Sequence, residues 1–597
     1  MTERIVNDFS ITVGTSNGSG SQTSNTTILR ALFKMGIPVS GKNLFPSNIQ
    51  GLPTWYTIRV NKDGFTARRE EHEIVVAMNP DSFARDLADV IPGGAFFYDD
   101  SIKFDITRDD IVVYPMPVKE IIRTQDVPSN LRTMVSNMVY VGVLAQVIGI
   151  EIEKIKMALE FHFKGKQKPI DLNFNVIKAA ADWAAANLEK KDPYSVEPMD
   201  KTDGLIMADG NTAAALGSIY GGVQFVGWYP ITPASSLAES IVEYLPQLRK
   251  TEDGKATYAV VQAEDELAAI GMAIGAGWSG LRSMTSTSGP GLSLMTEFTG
   301  LAYYAEVPIV VWDVQRVGPS TGLPTRTSQG DLTFIRYMGH GDTEQIILLP
   351  GTVNECFEFG WRAFDVAEHM QTPVFVLSDL ELGMNQWMTE PFRYPDTPMD
   401  RGKLLWEDDL EKANGNWGRY RDVDGDGIPW RTVPGNRYQT AAYFTRGTGH
   451  DENARYSEDP VVWAGMMDRL KKKYHSAARF MPEPVIEKVD GAEIGIIAFG
   501  STAPAIKEAR HLLETEAGLK SDSMRIRGVP FVEAVREFIQ SHEQNFVVEM
   551  NRDGQMYQLL LVEYPELTGK LTSVAFNDGL PATAKWVKEN ILSTEVK

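Results

Sequence analysis

The chain has 597 residues, enough for about four domains at roughly 150 residues each. Its 58 Lys and Arg stand against 79 Asp and Glu, a net charge of −21, which argues against coating nucleic acid or an anionic membrane. One cysteine, Cys356, excludes an internal disulfide, a cubane iron–sulfur cluster on this chain and a Cys-based zinc site. The eight His include no i, i+4 pair, so no metal is expected here either.

No apolar leader opens MTERIVNDFS, and apolar runs such as Val307–Val311 fall far short of the ~20 residues of a membrane helix, so a cytoplasmic protein with no membrane or nucleic-acid partner is expected. The alternation over Ile5–Val13 predicts a strand. A Gly/Ser/Asn loop, Gly14 to Asn25, and a helix bearing Ile28, Leu29, Leu32 and Phe33 follow. Strand, glycine loop and helix open many nucleotide-binding domains. Gly18 and Gly20 are present here but the third glycine of the fingerprint is not, and an ordinary βα turn capped by Ser and Thr is the alternative. With a strand at Ile111–Tyr114 and helix over most of Asn130–Ala181, residues 1–190 read as one α/β domain.

Residues 191–204 are polar, hold two prolines and read as a linker. Across 205–388, strand-like runs recur at Val223–Trp228, Ala259–Gln262, Arg282–Thr287, Ile309–Trp312, Gln345–Leu349 and Val374–Leu377, with helical patterns between them, which predicts a mostly parallel sheet. Residues 389–484 are rich in Trp, Tyr, Arg, Pro and Gly and read as an irregular insertion or connector that ends in a helix, Val461–Tyr474. A βαβ rhythm returns over 485–597, with GIIAFGST, the helix Pro504–Glu516 and FVVEMN. The fold class is α/β, multidomain.

Four stretches carry chemistry. GWYPITPAS, Gly227–Ser235, sits between a strand and the helix Ser236–Tyr244. Its prolines hold an extended turn at the sheet edge where ligands bind, with Ser235 as the N-cap in the blander reading. In VQAEDELAAIGMAIGAGWSG, Val261–Gly280, the acids Glu264, Asp265 and Glu266 open a helix that is otherwise apolar and is expected to be buried. TSTSGPGLSLMTE, Thr285–Glu297, runs from strand through a Ser/Gly loop into a helix. WDVQRVGPSTGLPTRTSQGDL, Trp312–Leu332, places Arg316 at a strand end beside small hydroxyls, which suits a carboxylate ligand.

In this order the four stretches resemble the 2-oxoacid:ferredoxin oxidoreductases, specifically the α subunit of the 2-oxoglutarate members fused to an N-terminal γ domain. The resemblance spans nearly the whole chain. It implies a γ domain, then a domain holding the pyrimidine end of thiamine diphosphate, then, at IIAFGST and VVEMNRDGQM, a transketolase C-terminal-type domain. It implies that Glu266, with Glu264 as the fallback, faces the aminopyrimidine as the catalytic carboxylate. Pro230, Ile231, Thr232, Ser288 and Gly289 border the cofactor, and Thr232 also lies near the substrate. Arg316 grips the 2-oxoacid carboxylate, while Arg326, with Ser320, Thr321 and Thr325, takes the distal carboxylate of 2-oxoglutarate.

The implied reaction converts 2-oxoglutarate, coenzyme A and oxidised ferredoxin to succinyl-CoA, CO2 and reduced ferredoxin, or the reverse. A pyruvate or branched-chain relative, or a non-catalytic scaffold subunit, are the alternatives. The diphosphate, its Mg²⁺ and an iron–sulfur (4Fe–4S) cluster are then expected on a partner β subunit, in a dimer of heterodimers that serves ferredoxin. Ser21 and Thr23 replace glycines frequent in γ chains, so no coenzyme A contact is named. Two patterns are set aside. DVDGDG, Asp422–Gly427, begins like a calcium loop, but its twelfth position, Val433, is not Glu, which leaves at most a partial cation loop. GDG at Gly425–Gly427 with Asn453 imitates a diphosphate motif in polar, irregular surroundings.

Overall fold

The computed structural model describes residues 3–46 and 51–594, so the extreme ends of the first and last expected blocks lie outside the described residues. The chain forms two compact units. One takes the chain up to Ala208 with Asn385–Pro391 and Thr583–Lys585. The other takes Asp209–Met384, Phe392–Ala582 and the end from Trp586.

In the first unit β1 (Asp8–Ser16), β2 (Val39–Leu44), β3 (Pro53–Asn61), β4 (His72–Ala77), β5 (Val90–Asp99) and β6 (Val112–Met116) form one sheet in the order β2-β3-β1-β4-β5-β6. β1 is antiparallel to β3 and parallel to β4. Helix α1 (Ser21–Lys34) starts inside the expected loop. The strand runs on to Ser16, Gly18 and Gly20 turn the chain at φ 83, and the N-cap is Gly20 with no side-chain cap. The polar residues read as loop are instead buried in the helix's first turns and bonded there. Thr15 donates to Ser21 at 2.8 Å, and Tyr140 donates to Asn25 at 2.8 Å.

Contrary to the sequence expectation, one helical stretch, Ser129–Ile148, is long and apolar enough to cross a membrane by length and composition. Its mean hydropathy is 1.3, and 67% of the window is buried. Its main part, α2 (Met138–Ile148), packs so closely on α3 (Gln167–Asn187) that a Cβ on Gly142 would stand 2.8 Å from that of Ala180, the signature of a core helix. The expected linker is docked on this unit: Tyr194–Ser195 pairs with Ile5–Val6, and the buried Asp192 accepts from Tyr114 at 2.7 Å.

The second unit opens with α4 (Gly210–Tyr220), then β7 (Phe225–Trp228), α5 (Ser235–Leu248), β8 (Ala259–Gln262), α6 (Glu266–Trp278), β9 (Ser283–Thr287), α7 (Gly289–Ala305), β10 (Ile309–Gln315), α8 (Leu332–Arg336), β11 (Ile346–Leu348), α9 (Val353–Met370) and β12 (Pro373–Asp379). The irregular segment ends in α10 (Pro460–Ser476). Then come β13 (Val485–Glu487), β14 (Ile494–Phe499), α11 (Ala503–Ala517), β15 (Ser521–Ile526), β16 (Gly528–Val529), β17 (Asn545–Glu549), α12 (Gln555–Glu563) and β18 (Leu571–Ala575). Two sheets result, β8-β7-β9-β10-β12-β11-β16 and β13-β15-β14-β17-β18. The first is parallel except at β16, a strand from the last block that joins β11 antiparallel and so binds the last two α/β blocks into one unit.

The irregular segment between them is pinned by buried charge. Glu306, at the end of α7, receives Arg469 and Lys473 of α10, the lysine at 2.8 Å, while Arg419 donates to the Glu306 carbonyl at 2.8 Å. Glu368 of α9 receives Arg282 and Arg401 at 2.8 Å and Arg431 at 3.0 Å. The calcium-like loop is filled from within the chain. The Lys403 ammonium lies 2.7 Å from Asp424 and 2.8 and 2.9 Å from Asp426, and Lys472 pairs with Asp422 at 3.3 Å. Asn453 accepts from Arg421 at 2.9 Å, a structural contact.

Burial raises the proton affinity of Glu306, and Arg469 and Lys473 more than reverse that, holding its carboxyl at about 2 against an ordinary 4.5. Glu306→Gln should therefore cost about 3–5 kcal/mol at neutral pH, because it strands buried cations. Denaturant midpoints measured against pH should show the wild-type advantage complete above pH 4.5 and lost as pH falls towards 2.

Candidate active site

The carboxyl ends of the parallel strands of the second unit carry the site, as the strand order of such sheets favours. After β7 the GWYPITPAS loop passes the exposed Pro230 and half-buried Ile231 to a cis Thr232–Pro233 peptide. Buried Asn211 fixes this loop by donating to the Pro233 carbonyl at 2.9 Å and to Ser236 at 2.8 Å. Ser235 is the first residue of α5 and not its N-cap. Ala234 takes that place without a side-chain bond, and the Ser235 N–H donates to the Ile231 carbonyl at 3.0 Å.

Arg316 follows the end of β10. It is buried at 8% exposure and donates to the Thr232 carbonyl at 2.7 Å and the Thr321 carbonyl at 3.4 Å, while its Nε is buried with no partner. The loop beyond it turns at cis Gly318–Pro319 and at Ser320, whose φ of 59 is left-handed. It closes where the Val317 N–H donates to the Arg326 carbonyl at 3.1 Å.

On α6, Asp265 takes the N-cap role, accepting from the Ala268 N–H at 2.7 Å, and Glu266 is the first helical residue. Glu266 is buried and Glu264 is exposed. The helix is not buried all round: Leu267 and Trp278 leave one apolar face open in this chain. The Glu266 carboxylate lies against Gly291 of α7. Among the described residues it has no side-chain hydrogen-bond partner, and neither do the buried hydroxyls of Thr285, Ser286 and Ser288. An unpaired buried carboxylate beside unpaired hydroxyls is a donor and acceptor set that fits a polar heterocycle such as an aminopyrimidine.

Ser288 caps α7 positionally, and the first residue of α7, Gly289, lines a cleft of about 680 Å³ together with Arg316, Ser320, Thr321, Asp331 and Arg552. Of the sequence-predicted residues, Gly289, Arg316, Ser320 and Thr321 thus line one cleft, and Thr232 reaches it through its carbonyl on Arg316. Glu266, Ser288 and Gly289 gather at the adjoining end of α7. Glu264 stays outside. Arg326 does not line the cleft: its guanidinium bonds Thr325 and its stem packs 3.1 Å from the Cβ position of Gly579.

Two cleft groups, Arg552 and Asp331, and the buried Asp313 behind them escaped the sequence reading. Arg552 lines the cleft and pairs with Asp553 at 2.7 Å, within the VVEMNRDGQM motif. Asp313 is fully buried and Asp331 is half-buried beside it; burial holds both above the ordinary carboxylate range and, for Asp313, the neighbouring Asp331 charge adds to that. Asp331 approaches the start of α7 because Gly289 has no side chain there. A Cβ would stand 2.9 Å from each of its oxygens.

Comparison with known proteins fits this geometry. Residues 216–404 match the family described as pyruvate flavodoxin/ferredoxin oxidoreductase, thiamine diP-bdg, and residues 10–183 the family described as pyruvate ferredoxin/flavodoxin oxidoreductase. The chain is 30% identical to subunit alpha of 2-oxoacid:ferredoxin oxidoreductase 2 from Aeropyrum pernix, over 93% of this chain and 92% of that one. It is 36% identical to the 2-oxoglutarate synthase subunit KorA of Methanothermobacter marburgensis, over 58% of this chain and 88% of that one. In structure it is similar to the 2-oxoglutarate:ferredoxin oxidoreductase of Magnetococcus marinus, solved with 2-oxoglutarate, coenzyme A and succinyl-CoA bound. The TM-score is 0.87 at 30% identity, covering 98% of this chain and 99% of that one. The chain belongs to the 2-oxoacid:ferredoxin oxidoreductases, as an α subunit. It is part of an enzyme that acts on the oxo group of a 2-oxoacid with ferredoxin as acceptor.

Gly291 offers a test of the carboxylate's placement. An added Cβ would lie 2.1 Å from the buried Thr287 Oγ1, 2.9 Å from Glu266 Cγ and 3.2 Å from its Oε1. Gly291→Ala should therefore cost about 1–3 kcal/mol of stability by overpacking, and in the protein that still folds it should cut turnover about 100-fold, the scale of an ångström misplacement in an active site.

Proposed function

We propose that this chain is the α subunit, carrying a γ-type N-terminal part, of a thiamine-diphosphate-dependent 2-oxoglutarate:ferredoxin oxidoreductase. The reaction interconverts 2-oxoglutarate, coenzyme A and oxidised ferredoxin with succinyl-CoA, CO2 and reduced ferredoxin. One observation carries the reading. Arg316 is held on the Thr232 carbonyl in a cleft that meets, at the start of α7, the end where the buried Glu266 lies.

When bound, thiamine diphosphate supplies the carbon nucleophile and the electron sink for decarboxylation. The residues of this chain do the rest. Glu266 holds a proton against the ring nitrogen N1′ of the aminopyrimidine, the job that needs a carboxylate shielded from water. Gly289 lines the cleft, and Pro230, Ile231, Thr232 and Ser288 are assigned with it to contact with the cofactor. Arg316 binds the carboxylate next to the oxo group through the N–H groups that its two carbonyl partners leave over.

With one cysteine in the chain, an iron–sulfur cluster belongs to a partner β subunit, which also supplies Mg²⁺ and the diphosphate site, in a dimer of heterodimers that delivers electrons to ferredoxin. In the complex co-expressed with that subunit, Glu266→Gln should lower turnover at least ~100-fold and Glu264→Gln should not. Loss in neither variant would remove the thiamine reading.

The second carboxylate of 2-oxoglutarate needs its own cation. Arg552 faces the cleft and Arg326 does not, so the distal carboxylate is assigned to Arg552, with Ser320 and Thr321 contributing hydroxyls. Arg552→Ala should raise KM for 2-oxoglutarate and leave 2-oxobutyrate nearly unaffected, read as kcat/KM ratios. A selective loss in Arg326→Ala instead would move the distal site to that arginine. Equal losses on both substrates would leave 2-oxoglutarate specificity without support.

A further inference from the structure

Resting on the assignment of the distal carboxylate to Arg552, we propose that Gln329 is a positioning residue that sets the spacing of Arg552 from Arg316. With it Gln329 sets the length of the dicarboxylate 2-oxoacid that the cleft selects.

The two arginines belong to different sheets. Arg316 follows β10 of the first, and Arg552 lies between β17 of the second and α12. Residues 326–333 connect them. Near one end of this segment the Arg326 carbonyl accepts from the Val317 N–H at 3.1 Å, and further along the Asp331 N–H donates to the Gln315 side-chain oxygen at 3.1 Å. Both neighbours of Arg316 in the chain are thus tied to the segment. Gln315 is itself buried and held, its amide donating to the Ser378 carbonyl on β12 at 3.1 Å.

Gln329 sits between those two ties at zero exposure and turns every polar group it has towards the last block. Its N–H donates to the Met550 carbonyl at 2.7 Å, and its carbonyl accepts from the Asn551 amide at 3.0 Å. Its side-chain nitrogen donates to the Phe499 carbonyl at the end of β14 at 2.8 Å. Its side-chain oxygen accepts from the Met550 N–H at 2.9 Å and from the Thr502 hydroxyl at 3.1 Å. Met550 and Asn551 are the two residues immediately before Arg552. Asn551 passes the constraint on: its side-chain oxygen accepts from the N–H groups of Gly554 at 2.8 Å and Gln555 at 3.2 Å, which closes the turn that bears Arg552. Gln555 then returns to the segment, donating to the Gly330 carbonyl at 2.6 Å and accepting from the Thr333 N–H at 2.9 Å.

Hydrogen bonds among groups removed from water are costly to leave unmade, so this set of bonds holds one register between the two sheets. Arg552 cannot hold that register for itself. Its side chain is 78% exposed, and Asp553, with which it pairs, is the next residue on the same turn. Gln329 stands behind the cleft wall, which its neighbours Ser328 and Gly330 line, so it acts on a ligand only through the turn it holds. Two cations at a fixed spacing accept one length of dicarboxylate. A chain one methylene shorter leaves one carboxylate unpaired, and a chain one methylene longer must bend to reach both.

Succinate, glutarate and adipate are the probes, because they carry two carboxylates at three spacings and no oxo group to react. They are titrated calorimetrically into the complex with the partner subunit. The wild type should bind glutarate about tenfold more tightly than either of the others, the scale of one charge-assisted hydrogen bond. In Gln329→Met, which keeps the side chain's length and removes its polar atoms, that preference should vanish. Its KM for 2-oxoglutarate should rise about tenfold with kcat nearly unchanged, while kcat/KM for 2-oxobutyrate stays near the wild-type value. Thr502→Val removes one bond from the Gln329 side chain and should show the same pattern to a smaller degree; it carries the test if Gln329→Met does not fold. No preference for glutarate in the wild type, an undiminished preference in the variants that fold, or equal losses on 2-oxoglutarate and 2-oxobutyrate, the mark of a merely structural residue, overturns the proposal. Loss of the preference in Arg552→Ala alone would keep the proposed function and overturn the role of Gln329. Its loss in Gln329→Met but not in Arg552→Ala would overturn the assignment to Arg552 and keep Gln329 as the residue that sets the spacing.

Discussion

The hydrogen bond from Arg316 to the Thr232 carbonyl is the constraint on which the site depends. It ties the loop after β7 to the loop after β10, two strands separated in the sheet by β9. The guanidinium is mostly out of water, where a bond to a charged donor is worth more than at the surface. Its position fixes the cleft, because the GPSTGLPT loop folds back on the same side chain through Thr321. Arg316 is therefore both a wall of the cleft and the charge within it. A neutral replacement would remove a ligand group and untie two loops together.

The glycines at the start of α7 are the complementary constraint. Gly289 makes room for Asp331, and Gly291 makes room for the Thr287 hydroxyl and for Glu266, so two acids reach one helix end without a side chain between them and the backbone. The favourable field of that helix end offsets part of the cost of burying them. TSTSGPGLSL is thus a packing requirement as much as a loop: a side chain at either glycine would strike groups that already fill the space.

The strands of the parallel sheet were legible because continuous apolar runs between polar turns have few alternative readings. Ala259–Gln262 is a strand with those limits, and the others shift by a few residues at most. Thr232 and Arg316 were legible because prolines and small hydroxyls mark a strand end. Asp313 and Asp331 were not, since an Asp inside a strand and an Asp before a short helix each read as ordinary until the fold brings them together. Arg552 was hidden in the same way: a surface arginine beside an aspartate carries no local sign of the cleft it faces. The open face of α6 and the helical start at Ser21 went astray for one reason. Local polarity speaks for a residue's own solvation, and here neighbours distant in sequence decide it.

Lys403 changes the character of the Asp422–Gly427 loop. Aspartates in such a pattern ordinarily borrow order from an ion that comes and goes with its concentration. Here the ammonium among Asp424 and Asp426 is covalently part of the chain, also bonded to the Ile428 carbonyl at 2.9 Å. The loop's order is then a property of the polypeptide alone, indifferent to chelators and to the ionic history of the cell.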